Sequence, residues 1–135
     1  MENVENAMKF IDSDFVISVF RGNKTAMHKY NELKNEETAT TAVNEFELLY
    51  GAKRSGNHEF LIQHKKLLSE LRIFNLDSRA AEKAAEIQSE LAKTGSQIDV
   101  KDLFIAAIVM CNNGTLLTKN TKHFERIHGI KVEKW

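Results

Sequence analysis

Five short, β-prone runs alternate along this chain with longer stretches whose apolar residues recur at helical spacing. The runs are "MKFID" (8–12), "TATTAV" (38–43), "RIFNLD" (72–77), "TLLT" (115–118) and "IKVEKW" (130–135). Between the first two, a helix begun at Asp14 spans "FVISVFRG" and stops at Gly22, and a second covers 24–35 through Met27, Tyr30 and Leu33. After the second run, Asn44 reads as the N-cap of "EFELLYGAKRSG", closed by Gly56. Residues 58–71 repeat Phe60, Leu67 and Leu71. Ser78 caps a helix carrying Ala80, Ala84, Ile87 and Leu91 up to Gly95, and Asp99 caps another that ends at Gly114. A short helical turn at "KHFERI" completes the order. Strands separated by helices imply an α/β fold with a mainly parallel sheet.

No proline, repeat or low-complexity linker divides the chain, so residues 8–135 read as a single domain behind a loose extension at 1–7. A chain of 135 residues, 42% of them hydrophobic, buries one substantial core without disulfide staples. Its only cysteine, Cys111, lies in the apolar run "FIAAIVMC" and reads as a buried small hydrophobe in a reducing compartment. The 19 basic and 19 acidic residues cancel, which argues against a protein that coats nucleic acid non-specifically, because such binding neutralises many phosphates. No stretch approaches the roughly 18 apolar residues of a membrane helix, and "MENVENA" lacks the layout of a signal peptide. The expected location is the cytoplasm, away from membranes.

Against that background, "FIDSDFVISVF" (10–20) is unexpected, because it sets two carboxylates between apolar segments. In parallel sheets, ligands bind beyond the carboxyl ends of the strands, and Asp12 ends the first one. Glu47 falls in the first turn after the second strand, Asp102 in the first turn after "QID", and Asn120 directly after "TLLT". A parallel sheet would bring all four to one edge. Carboxylates gathered there call for a hard divalent cation such as Mg²⁺ or Mn²⁺. Each residue also has a plain structural explanation. Asp12 could solvate a strand end, and Asp14 could start its helix as N-cap or first-turn acid. Glu47 could complete a capping box with Asn44, as Asp102 could with Asp99, and Asn120 could be a turn residue.

The strings "FIDSDFVI", "AVNEFELLYGA", "IDVKDLFIAA" and "LLTKNTKHFERIHGIKVEKW" resemble, in order, the four signature blocks of VapC-type PIN-domain ribonucleases. The resemblance spans about residues 8–135. It implies an α/β/α three-layer sandwich with a short, mainly parallel sheet. It also implies a Mg²⁺- or Mn²⁺-dependent endoribonuclease, the toxin of a toxin–antitoxin pair, with no organic cofactor. Carried over by position, the catalytic set is Asp12, Glu47, Asp102 and Asn120, with Asp12, Glu47 and Asp102 as metal ligands and Ser13 and Thr118 in support. His123 stands where many relatives carry an acid, which removes one carboxylate; Asp99 is the only candidate to compensate.

On this basis the expected chemistry is hydrolysis of RNA phosphodiesters, with Glu47 as ligand or general base and neutral Asn120 holding a water or substrate oxygen. Lys101, Lys119, Lys122 and Arg21 flank the acids and could meet RNA phosphates. The expected partners are RNA, a small antitoxin whose helical segment presents an Arg to the acids, and a second copy packed through helices near 24–34 and 44–55. Two other classes are weighed. A phosphoacceptor receiver module would need Asp77 at a strand end, but a helix start follows it directly. A catalytically silent PIN domain, binding RNA or protein, is favoured only by the His123 departure. The remaining histidines, His28, His58, His64 and His128, lack helical ligand spacing, and Trp135 is expected to pack on the sheet.

Overall fold

Phe10 and Ile11 are adjacent and both buried, yet each belongs to a different hydrophobic core. Successive strand residues point to opposite faces, so a strand that is apolar at both positions must be covered on both sides. The same holds for Leu116 and Leu117. A computed structural model describes residues 7–135; the proposed extension at 1–7 therefore lies almost wholly outside the described residues.

The strands are β1 (Lys9–Ile11), β2 (Thr38–Thr41), β3 (Arg72–Phe74), β4 (Thr115–Leu117) and β5 (Val132–Glu133). They form one sheet in the order β3-β2-β1-β4-β5, parallel at every pairing. The helices are α1 (Ser13–Phe20), α2 (Lys24–Leu33), α3 (Ala42–Arg54), α4 (His58–Ser69), α5 (Ser78–Lys93), α6 (Val100–Cys111) and the short α7 (Thr121–Phe124). One core joins α5 and α6 to a face of the sheet through Ala80, Ala84, Ile87, Leu91 and the run Ile105–Val109. The other packs Phe15, Val16, Ala26, Leu33, Leu48 and Leu68 of α1–α4 against the opposite face. This is the α/β/α sandwich that the sequence implies. Cys111 ends α6 half-buried and free, and Trp135 packs edge-on against Phe15 at 5.5 Å between ring centroids.

The connections differ from expectation at three helix starts. Asp12, not Asp14, caps α1, accepting from the Ser13 backbone N–H at 2.8 Å. Thr41, not Asn44, caps α3, because the helix begins immediately where β2 ends, with no intervening loop. Asp77, not Ser78, caps α5. In each case the true cap is an oxygen-bearing side chain still in extended backbone, which is what lets it reach back to the first free N–H groups. Asp99 caps α6 as expected, accepting from Lys101 N–H at 2.9 Å.

Candidate active site at the carboxyl edge of the sheet

Strand order reverses at β1, which continues to β2 on one side and has β4 on the other. A crevice at such a point, beyond the carboxyl ends of the strands, is where parallel sheets place ligands. The register decides what meets there. Ile11 pairs with Leu117, and Asp12 N–H donates to the Leu117 carbonyl at 3.0 Å. The next residues, Asp12 and Thr118, therefore stand side by side, and the Thr118 hydroxyl donates to Asp12 Oδ2 at 2.7 Å.

Asp12 is only 8% exposed and its carboxylate is fully engaged. Oδ1 accepts from Ser13 N–H and from the Asn44 side-chain amide, both at 2.8 Å. The Asn44 amide also reaches Ser13 Oγ at 3.0 Å and Glu47 Oε1 at 3.5 Å. Its own oxygen accepts from Thr41 Oγ1 at 2.8 Å, which turns the NH₂ toward the acids. Ser13 Oγ in turn donates to Glu47 Oε1 at 3.0 Å. Asn44 and Glu47 are three apart on α3 and so share a face. One buried amide and one hydroxyl thus tie the end of β1 to the second acid.

Glu47 Oε2 lies 3.8 Å from Lys101 Nζ across the gap between α3 and α6. Asp102 Oδ2 lies 3.4 Å from His123 Nδ1, and the two line a shallow cavity with Asp99 and Arg126. On the β4 side, Asp14 Oδ2 accepts from Lys119 N–H at 3.0 Å and from the Asn120 side-chain amide at 3.4 Å. Burial pushes the carboxyls of Asp12, Glu47 and Asp102 above their ordinary range, and the charge on Asp12 raises Glu47 and Asp102 further. Hydrogen bonds from Thr118, Ser13 and Asn44 partly offset the effect at Asp12. The Asp14 carboxyl is pushed up to about 6, by burial first and by Asp12 second.

Asp12, Glu47, Asp102 and Asn120 all fall on this edge, with Ser13 and Thr118 between them. Of the four basic residues expected nearby, Lys101 pairs with Glu47, Lys119 lies 6.0 Å from the Trp135 ring centroid, and Lys122 is exposed in α7. Arg21 is not brought to the acids. It is the C-cap of α1, nine residues beyond Asp12 and so about 13.5 Å away along the helix at 1.5 Å per residue. Asp99 is occupied as a helix cap. Two site residues escaped the sequence reading. Asn44 looked like a cap, although its spacing of three from Glu47 was a usable signal. Asp14 looked like a first-turn acid, and only the β1–β4 register brings it to "TKN".

A family model for the PIN domain matches residues 9–130. The chain belongs to the PIN domain family. Within it, this PIN domain is of the VapC type. It is 33% identical over 129 residues to "Ribonuclease VapC2" of Rickettsia felis, covering 90% of this chain and 95% of that protein. It is 27% identical over 130 residues to "tRNA(fMet)-specific endonuclease VapC" of Shigella flexneri, covering 95% and 98%. Among solved structures it superposes on VapBC2 of Rickettsia felis, crystallised with a DNA fragment from their promoter. That match has a TM-score of 0.84 and 26% identity, over 95% of this chain and 98% of the other. The PIN fold seen in VapC structures thus accounts for the sheet order and for both helical layers.

Proposed function

We propose that this protein is a Mg²⁺- or Mn²⁺-dependent endoribonuclease and the toxin of a type II toxin–antitoxin pair. The observation that carries this reading is the group of carboxylates Asp12, Glu47 and Asp102, held at a sheet edge where burial raises all three and the charge on Asp12 raises the other two further. Relatives named as ribonucleases, and a VapBC complex of the same fold, support it.

The donor set fits a hard divalent cation, since every candidate ligand is an oxygen. Among the described residues no three His, Cys, Asp or Glu side chains stand close enough to grip one ion together. That spacing suits Mg²⁺, which keeps several of its waters and takes few protein ligands. Asp12, Glu47 and Asp102 would share the ion, in part through the waters it keeps. When bound, it supplies positive charge to the phosphoryl oxygens and acidifies water. Glu47, with its raised carboxyl and one oxygen locked by Ser13, is suited to orient the attacking water and take its proton. Asn120, being neutral, can hold a substrate oxygen without repelling it. Lys101, Lys119 and Lys122 sit on the surface of this edge and can meet RNA phosphates.

The toxin role carries further expectations. A small antitoxin would bring an Arg to the carboxylates, a charge-assisted pairing that competes with the ion. A homodimer would use the exposed apolar side chains of α2 and α3, among them Met27 and the stacked pair Phe46 and Tyr50. Among the described residues no helix is long and apolar enough to cross a membrane, and the cytoplasm is the compartment that offers RNA. The test is cleavage of RNA by the wild type, Asp12→Asn and Asp102→Asn in Mn²⁺. Equal cleavage by all three overturns the mechanism.

A further inference from the structure

Asp14 belongs to the first turn of α1, where an acid can serve the helix dipole alone. Its surroundings are not those of such a residue. Oδ1 is buried and has no hydrogen-bond partner, because the nearby Phe15 N–H, which lowers the Asp14 carboxyl somewhat, is directed to the Asp12 carbonyl at 3.1 Å. Oδ2 is held by Lys119 N–H and by the Asn120 amide. The Thr118 hydroxyl lies 3.4 Å from Oδ2, but its single proton is directed to Asp12 Oδ2 at 2.7 Å. Two neighbouring carboxylates therefore differ sharply. Asp12 has donors on both oxygens, while Asp14 is oriented through one oxygen and has the other bare. Leaving a buried carboxylate oxygen without a donor is costly, so its natural complement is a cation.

Asn120 lies on the other side of the same contact. Its amide nitrogen donates to Asp14, so it presents no negative charge and serves to orient the acid. We infer that Asp14 Oδ1 is a direct ligand of the divalent ion, with Asn120 and the Lys119 backbone as the groups that position it. The carboxylate on the β4 side of the site then comes from α1 and not from the loop after β4. This inference rests on the metal-dependent reading above, and the test separates the two.

The experiment is titration of the full-length protein with MnCl₂, followed by calorimetry and by the loss of the free Mn²⁺ paramagnetic resonance signal, with folding of each variant checked by circular dichroism. Asp14→Asn is expected to weaken Mn²⁺ binding about tenfold or more, the scale on which metal sites respond to a lost supporting group. Asn120→Ala, which removes only an orienting contact, should weaken it less than Asp14→Asn does. The double variant Asp14→Asn/Asn120→Asp returns a carboxylate across the same contact and should recover most of the loss. Asp99→Asn serves as the charge control, because Asn caps α6 as well as Asp and Asp99 raises Asp102 through its charge; it should bind Mn²⁺ nearly as tightly as wild type. Wild-type affinity in Asp14→Asn, or an equal loss in Asp99→Asn, overturns the inference while leaving the metal-dependent reading intact. No Mn²⁺ binding by the wild type overturns both.

Discussion

The side-chain amide of Asn44 donates to Asp12 Oδ1 over 2.8 Å, joining residues 32 apart in sequence. Both are buried, and the bond links the first turns of α1 and α3 across the β1–β2 pair. Removing the amide leaves an acid in a dry pocket with one donor fewer.

Asn44→Ala should therefore lower stability by about 1–3 kcal/mol, the cost of stranding buried polar groups. It should also reduce RNA cleavage more than it reduces stability near neutral pH, because Glu47 loses the same anchor. Urea unfolding and a cleavage assay on the folded variant measure the two separately.

The Asp14 carboxyl gives a pH dependence with a definite sign. Its value in the folded protein is about 6, against 3.8 as the ordinary value. Between those values the folded state holds the proton more tightly than the unfolded chain does. The contribution to stability is therefore full below pH 3.8 and is lost as pH rises through 6. In metal-free buffer, Asp14→Asn should be more stable than wild type at pH 7 by about 1 kcal/mol, a figure reduced for screening around a half-buried group. The advantage should fade toward pH 4. Thermal melts across that range decide it.

Metal should reverse that penalty. Adding Mn²⁺ at about a hundred times its Kd should stabilise the wild type by about 2.7 kcal/mol, and a chelator should remove the gain without unfolding the chain. Asp12→Asn should show no such shift. Differential scanning calorimetry with and without MnCl₂ reads both outcomes.

Gly114 passes directly over a core ring. A Cβ built there would sit 2.4 Å from two carbons of the Phe10 side chain. Phe10 is wholly buried and cannot retreat, so Gly114→Ala should cost about 1–3 kcal/mol by overpacking. Combining it with Phe10→Leu should cost less than the sum of the two single changes, because they share one space. Chemical denaturation of the three variants tests this.

Much of the fold was legible because it rests on local signals. Short apolar runs between helical stretches led to a parallel sheet, and the Ala80–Ala84–Ile87–Leu91 stripe turned out to be the buried face of α5. Helix starts were less legible. Asn44 and Thr41 are both good caps, and only the point where β2 stops decides between them. The sequence also aligned Asp12, Glu47, Asp102 and Asn120 with one sheet edge, although Glu47 was expected in the first turn of α3 and lies in the second, because the helix starts at Ala42 directly after β2.

What the chain determined by itself was the kind of site: oxygen donors at the ends of parallel strands and in the opening turns of helices. Local propensity and apolar period encode that, because both act within a few residues. Which acids share a proton donor, and which carboxylate oxygen lies bare, depended on the Ile11–Leu117 register and on an amide turned inward by Thr41. The Asn44–Asp12 and Thr118–Asp12 contacts join residues 32 and 106 positions apart, where sequence spacing carries no distance information and only packing sets the geometry.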